Sequence, residues 1–296
     1  MADRSVRTLD RSPALTPLLA RGALLSPFKK AALDRPRPYA GHPGTRLVLP
    51  GVRIDLARLA AYERVCGFPV GDDSLPITYP HVLGFPLAML LMTDRGFPLP
   101  LLGLVHTSVE IVRWRPLTAT GGYYELTVYV EELAPHRRGT EVAVQTEVRD
   151  GDGEELVWES RSTYLARHRR DLAAGTPRGG GGVYDEREVL PLVAEWRLCG
   201  DLGRRYAGAS GDRNPIHLHP LAARLFGFRR AIAHGMWTVA RCLAAHGAPP
   251  SAWVRAEFRA PVLLPGAVEY GADGFGGFEL RGGGGRVHLR GDVRRV

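Results

Sequence analysis

Cysteine is scarce in this chain. Cys66, Cys199 and Cys242 are the only three among 296 residues. They are odd in number, widely spaced and form no C-x-x-C pair, so neither a disulfide framework nor a cysteine zinc site is expected. Long apolar runs are missing too: the stretch from Leu18 to Leu25 is broken by Arg21 and followed by Lys29 and Lys30. The chain also meets charge early, at Asp3 and Arg4. A signal peptide and a membrane span are therefore not expected, and the reading is a soluble, cytoplasmic protein with no membrane partner. Acidic residues are fewer than basic ones, 31 against 39, and the net charge of +8 suits an anionic partner. The basic residues are scattered, however, and no aromatic-interleaved basic motif appears, so nucleic acid is not expected.

The length allows two ordinary domains, and the 45% hydrophobic content is enough to give each a core. Asp171–Gly182 contains four consecutive glycines and reads as a linker, since such a run does not offset the entropy of being ordered. The halves on either side repeat each other weakly. Tyr62 to Gly67 matches Tyr206 to Gly211 in the spacing of Tyr and Gly, and the apolar run His81–Met92 parallels the one that starts at His234. Val109–Leu117 likewise parallels Val254–Val262. Each half reads as an early strand, a long apolar helix and then several strands. The strands are expected near Leu104–Arg113, Tyr123–Glu131, Glu141–Asp150 and Glu154–Ala166, and near Trp253–Arg259, Ala267–Asp273, Phe278–Arg281 and Val287–Val293. An α+β fold follows, an antiparallel sheet wrapped on a central helix in each half. The division is 1–45 as an N-terminal extension, 46–170 as a first unit, 171–183 as the linker and 184–296 as a second unit.

The second half carries the chemistry. Gly211-Asp212-Arg213-Asn214-Pro215-Ile216-His217 places a carboxylate, a carboxamide and an imidazole in a segment that Gly and Pro keep from being one helix. Such a loop can hold one water. Gly235 stands near the start of the next helix, where a bare amide suits a developing oxyanion. The first half has Phe68 in place of Asp212 and no Asn-Pro-x-His. Its interval from Gly67 to His81 is 14 residues, against 23 from Gly211 to His234.

Gly-Asp-x-Asn-Pro-Ile-His, followed by Gly227-Phe228 and by Ile-Ala-His-Gly-Met at 232–236, resembles the motif of the MaoC-like dehydratases, the (R)-specific enoyl-thioester hydratases. The resemblance covers about Tyr184 to the end. It implies a tandem double hotdog with a catalytic second half and a first half that cannot activate water. The implied reaction is reversible hydration of a trans-2-enoyl thioester to an (R)-3-hydroxyacyl thioester. The resemblance implies that Asp212 and His217 hold the water and that Gly235 polarises the carbonyl. Asn214, Ser210, Tyr206 and His234 are candidate substrate-binding residues. The substrate is expected on coenzyme A or acyl carrier protein, with no cofactor and no metal, and a homodimer is left open as an assembly.

Blander readings stand beside these. Asp212 can cap a turn, Asn214 can bond its own backbone, Tyr206 can be packing because Tyr62 repeats it, and His234 and His81 can be helix-start residues bonded to backbone. His217 and His219 with Asp212 could chelate a metal, but a further ligand is missing from the pattern. Arg213 and Arg229 could meet carrier phosphates or simply lie in solvent. A thioesterase on the same scaffold, or a non-catalytic acyl-thioester-binding subunit, are the rival functions.

Overall fold

The computed structural model describes residues 5–33, 44–120, 122–151, 153–168 and 189–296. The segment read as a linker, 171–183, lies outside the described residues. Within the expected N-terminal extension, β1 (Val6–Thr8) joins the sheet edge and α1 (Leu15–Leu33) packs on the first half. The first half continues with β2 (Arg46–Val52), α2 (Leu56–Cys66), α3 (Tyr79–Met92), β3 (Leu104–Arg113), β4 (Tyr124–His136), β5 (Gly139–Asp150) and β6 (Leu156–Arg167). The second has β7 (Leu192–Leu198), α4 (Leu202–Ser210), α5 (Pro215–Leu218), α6 (Pro220–Leu225), α7 (Gly235–His246), β8 (Ala252–Phe258), β9 (Gly266–Ala272), β10 (Gly277–Gly282) and β11 (Val287–Arg295). Among the described residues, no helix is long and apolar enough to cross a membrane.

The strands form one sheet in the order β1-β2-β4-β5-β6-β3-β8-β11-β10-β9-β7. Reading outward from the centre, the two halves mirror each other, which is the double hotdog expected from the sequence. The halves meet where β3 pairs antiparallel with β8, with Val109 opposite Ala256 and Ile111 opposite Val254. All four side chains are fully buried, so this seam is core rather than a surface contact between separate domains. Each sheet half covers one apolar helix. The α3 side chains Val82, Leu87 and Met92, and Val239, Cys242 and Leu243 of α7, are buried beneath it, and the sheet and helix each remove the other's apolar face from water.

The short helices α2 and α4 pack against each other across the seam. Both end on a left-handed glycine, Gly67 at φ 83° and Gly211 at φ 84°, a conformation that suits a residue without a side chain. Arg58 of α2 donates from Nε to the Ala209 carbonyl at 2.8 Å and from Nη2 to that of Ser210 at 2.7 Å. It thereby satisfies acceptors that the end of α4 would otherwise leave open. Trp237 of α7 donates from its indole to the Val65 carbonyl at 2.8 Å. The first half thus clamps the elements on which the second half's motif is mounted.

Candidate active site

Beyond Gly211 the chain turns through a series of short side-chain bonds. Ser210 Oγ accepts from the Asp212 amide at 3.2 Å, Asp212 Oδ1 from the Asn214 amide at 3.1 Å, and Asn214 Oδ1 from the Ile216 amide at 3.4 Å. Asn214 thereby caps α5, and Pro215 supplies its first residue, where no amide hydrogen is needed. One turn later comes His217. Its carbonyl oxygen lies directly against Gly203 of α4, where a Cβ would overlap it. The Ile216 carbonyl accepts from the Ile232 amide at 3.2 Å, and Val262 O accepts from the Ala233 amide at 2.9 Å. The segment leading into α7 is therefore tied both to α5 and to the chain beyond β8.

These ties bring Asp212, His217 and His234 together, with their ligand-type atoms all within 4.8 Å of one another. His217 Nδ1 lies 2.8 Å from the Ile232 carbonyl. A carbonyl can only accept, so this nitrogen carries the hydrogen and Nε2 keeps a free lone pair. Burial pushes the His217 pKa below its ordinary value, against the opposing pull of Asp212 and the Ile232 bond. The ring is therefore neutral at pH 7. His234 Nε2 donates to the Asp212 carbonyl at 2.9 Å, and its ring stacks on His217 with centroids 3.7 Å apart and lies tilted against Tyr206 at 4.8 Å. Burial, with His217 beside it, holds His234 well below the usual histidine range. Asp212 keeps 28% of its side chain accessible, so within the trio it is the carboxylate that opens to the cavity.

The cavity measures about 1820 Å³ and spans both halves. Ser210, Tyr206, Asn214 and Gly235 all lie on its wall together with the trio. Gly235 is the first residue of α7, so its amide has no acceptor within the helix. A Cβ there would stand 2.9 Å from the ring of Phe258, so glycine is what lets that ring pack against the start of α7. His81 on α3, His106 on β3 and Tyr164 on β6 form the facing wall. The His106 ring lies 4.4 Å from Tyr164, 4.7 Å from Phe258 and 6.2 Å from His81. Burial lowers His81 to about 4 despite the field of Asp212, and burial with His81 beside it lowers His106 to about 3. Phe85, Met89 and Met92 of α3 and Leu19, Ala20 and Ala23 of α1 make an apolar arm of the lining.

The sequence pattern does not reach this facing wall. His81 reads as a helix-start residue, and His106 and Tyr164 are single polar positions among several in their strands, with no pattern that marks them. His219 does not join Asp212: its Nδ1 accepts from the Leu221 amide at 3.2 Å and caps α6. His234 takes the third place, yet its ring is stacked on His217 rather than edge-on. The lone pairs of two near-parallel imidazoles lie in their ring planes and run side by side, which disfavours a shared tetrahedral ion. Cys66 and Cys242 are buried with their thiols pushed far up by desolvation, so neither is an activated nucleophile.

Comparison with known proteins gives a consistent family. The model of the MaoC-like domain matches residues 191–269. The 3-hydroxyacyl-thioester dehydratase X of Mycobacterium tuberculosis is 37% identical over 241 residues, 80% of this chain and 84% of that protein. The crystal structure of that protein, HtdX, superposes with a TM-score of 0.72 at 35% identity, over 85% of this chain and 100% of that chain. A MaoC-like dehydratase from Phytophthora capsici has the same fold at 18% identity, with a TM-score of 0.64 over 89% of this chain and 97% of that one.

Proposed function

The chain belongs to the MaoC-like dehydratase family, and we propose that it interconverts a trans-2-enoyl thioester and an (R)-3-hydroxyacyl thioester at the Asp212–His217 pair. The observation that carries this reading is two acceptor groups, Asp212 Oδ and His217 Nε2, converging at the wall of a cavity that Gly235, the first residue of α7, also lines. A water between them donates one hydrogen to each and is held with its oxygen directed at a substrate carbon.

In the hydration direction the water oxygen bonds to C3 as the C2=C3 π pair moves toward C2 and the thioester oxygen. The charge that builds on that oxygen is met by the Gly235 amide and the positive end of α7. Because His217 Nε2 begins without a hydrogen, the proton delivered to C2 is the one taken from the water through the Asp212–His217 pair. His234 is a positioning residue in this scheme, fixing the Asp212 backbone and the His217 ring plane. Asn214 and Ser210 hold the loop in its turn. Tyr206 packs against His234 at the pocket wall. The acyl chain runs past His81 and His106 into the α1–α3 arm. No step calls for a redox or covalent partner.

Incubation with crotonyl-CoA and a longer enoyl-CoA tests the reading. Loss of enoyl absorbance without thiol release is expected. Thiol release would make the protein a thioesterase, and neither change would make it a binding subunit. Asp212→Asn and His217→Ala should each lower kcat by roughly 10² to 10⁴ with folding intact, and the double variant should be little worse than either. A well-folded Asp212→Asn protein within threefold of the parent would refute the assignment.

A further inference from the structure

The helix α6 stands at the rim of the cavity and presents an unusual surface. Leu221 and Leu225, one turn apart on its outer face, are 62% and 87% exposed, while Ala223 on the inner face is fully buried. Phe226 continues the apolar surface, 39% exposed, and with Gly227 and Phe228 it forms part of the cavity wall itself. Arg224 lies on α6 itself, Arg229 and Arg230 follow it closely in the chain, and Arg213 lines the cavity with Phe226; all four are exposed. Among the described residues none of the four forms an ion pair; the one side-chain bond recorded for them is from Arg224 Nε to the Arg229 carbonyl at 3.4 Å. The sequence explains why: no Asp or Glu stands between Asp212 and Glu257. Elsewhere on the cavity wall several arginines are neutralised locally, Arg161 by Glu131 and Glu132 and Arg259 by Glu257.

An apolar knob accompanied by unneutralised cations fits a protein partner better than a nucleotide. A nucleotide's phosphates would use the arginines and leave both leucines in water, whereas protein interfaces bury an apolar centre inside a polar rim of complementary charge. A second copy of this chain would bring like charges together. A six-residue helix with two outward leucines is short for lying in a membrane surface. Resting on the thioester reading above, we propose that the α6 face docks an acidic carrier protein, which passes its acyl chain over Phe226 into the cavity on a phosphopantetheine arm. Such a contact is small and transient, and the positive patch raises its rate of encounter.

The test uses one enoyl chain attached either to coenzyme A or to an acidic acyl carrier protein, with the full-length parent and two variants, Leu225→Ser and Arg224→Glu/Arg229→Glu. These residues are exposed and outside the catalytic trio, and thermal melting checks their folding. The expected result is a rise in KM of at least roughly tenfold for the carrier-linked substrate, with coenzyme A kinetics and both kcat values within about twofold. Binding of a carrier loaded with a saturated acyl chain, followed by calorimetry, should weaken in parallel and weaken with salt. Unchanged carrier kinetics and binding in the charge-reversed variant would overturn the proposal, as would equal losses on both substrates. So would loss of parent binding to anionic phosphatidylserine vesicles, or of concentration-dependent self-association, without any effect on the carrier. If the parent turns over neither substrate, the hydratase reading fails, and calorimetry alone still decides the docking surface.

Discussion

Gly203 is the position where a single methyl group should disable catalysis without touching a catalytic side chain. It lies in α4, and a Cβ there would fall on the carbonyl oxygen of His217, far inside the 3.0 Å that real Cβ atoms essentially never breach. The obstacle is backbone, so no side-chain rotation relieves it. In Gly203→Ala, α5 must recede by about 1 Å, a misplacement of the kind that costs about 10²-fold in rate. The His217 ring would lose both its place beside Asp212 and its 2.8 Å bond to Ile232. Overpacking of about 1–3 kcal/mol is partly offset by the gain of about 1 kcal/mol from replacing glycine in a helix, so the protein should remain folded. The first-half wall is untouched, which predicts a fall in kcat with little change in KM. Gly208→Ala is the control: it is exposed on the same helix with open space at its Cβ, and it should keep kcat while gaining up to about 1 kcal/mol. The assay is enoyl-thioester hydration alongside thermal unfolding. A Gly203→Ala enzyme within twofold of the parent in kcat would refute the claim that α4 sets the position of His217.

Further outcomes follow from the same geometry. His217 acts as a neutral acceptor with a lowered pKa, so kcat/KM should be level through pH 7 and decline only below the ordinary histidine value of about 6.5, and His217→Gln should remove that limb. Burial lowers His81 and His106 to about 4 and about 3; between those values and about 6.5 the unfolded chain binds protons that the native chain does not. Stability should therefore fall as pH drops through this window, less so in the His81→Phe/His106→Phe variant, and an unchanged melting profile would contradict it. Exhaustive chelation should leave turnover intact, whereas activity lost to chelator and restored by zinc would revive a metal reading. Ala23→Phe should fill the α1–α3 arm and displace about two methylenes at about 0.8 kcal/mol each, weakening long-chain thioesters by roughly tenfold in KM while sparing crotonyl-CoA.

Much of the architecture was legible because it rests on local pattern. The strand expected at Leu104–Arg113 is β3 with the same ends, and Val287–Val293 differs from β11 only by the two residues added at its end. The Tyr–Gly repeat marks two corresponding helix ends, since Tyr62 and Tyr206 sit on α2 and α4 and their rings lie 6.0 Å apart across the seam. The motif also brought Asp212 and His217 together as expected, because Asn214, Pro215 and Ser210 shape that turn within a few residues. What could not be read is the facing wall. His81, His106 and Tyr164 reach the cavity through the pairing of β3 with β8 and the docking of α3, contacts set by the whole sheet. His219 failed as a partner of Asp212 for the opposite reason, a local one: the start of α6 at Pro220 makes it a cap.

The difference between the halves can be assigned to one stretch of chain. The interval from the left-handed glycine to the histidine at the head of the apolar helix, Gly67 to His81 and Gly211 to His234, is 14 residues in the first half and 23 in the second, and α5 and α6 lie within the longer one. α5 carries His217, and α6 carries the apolar knob at the cavity rim. The added segment therefore holds both the imidazole of the proposed chemistry and the surface proposed to receive the carrier. In the first half, with no such segment, α3 instead faces the cavity directly with His81, Phe85 and Met89. Joining the halves through β3 and β8 turns that bare helix toward the second half's loop. The first half, which has Phe68 where the second has Asp212, thus lines the same cavity as Asp212 and His217, and neither half would enclose it alone.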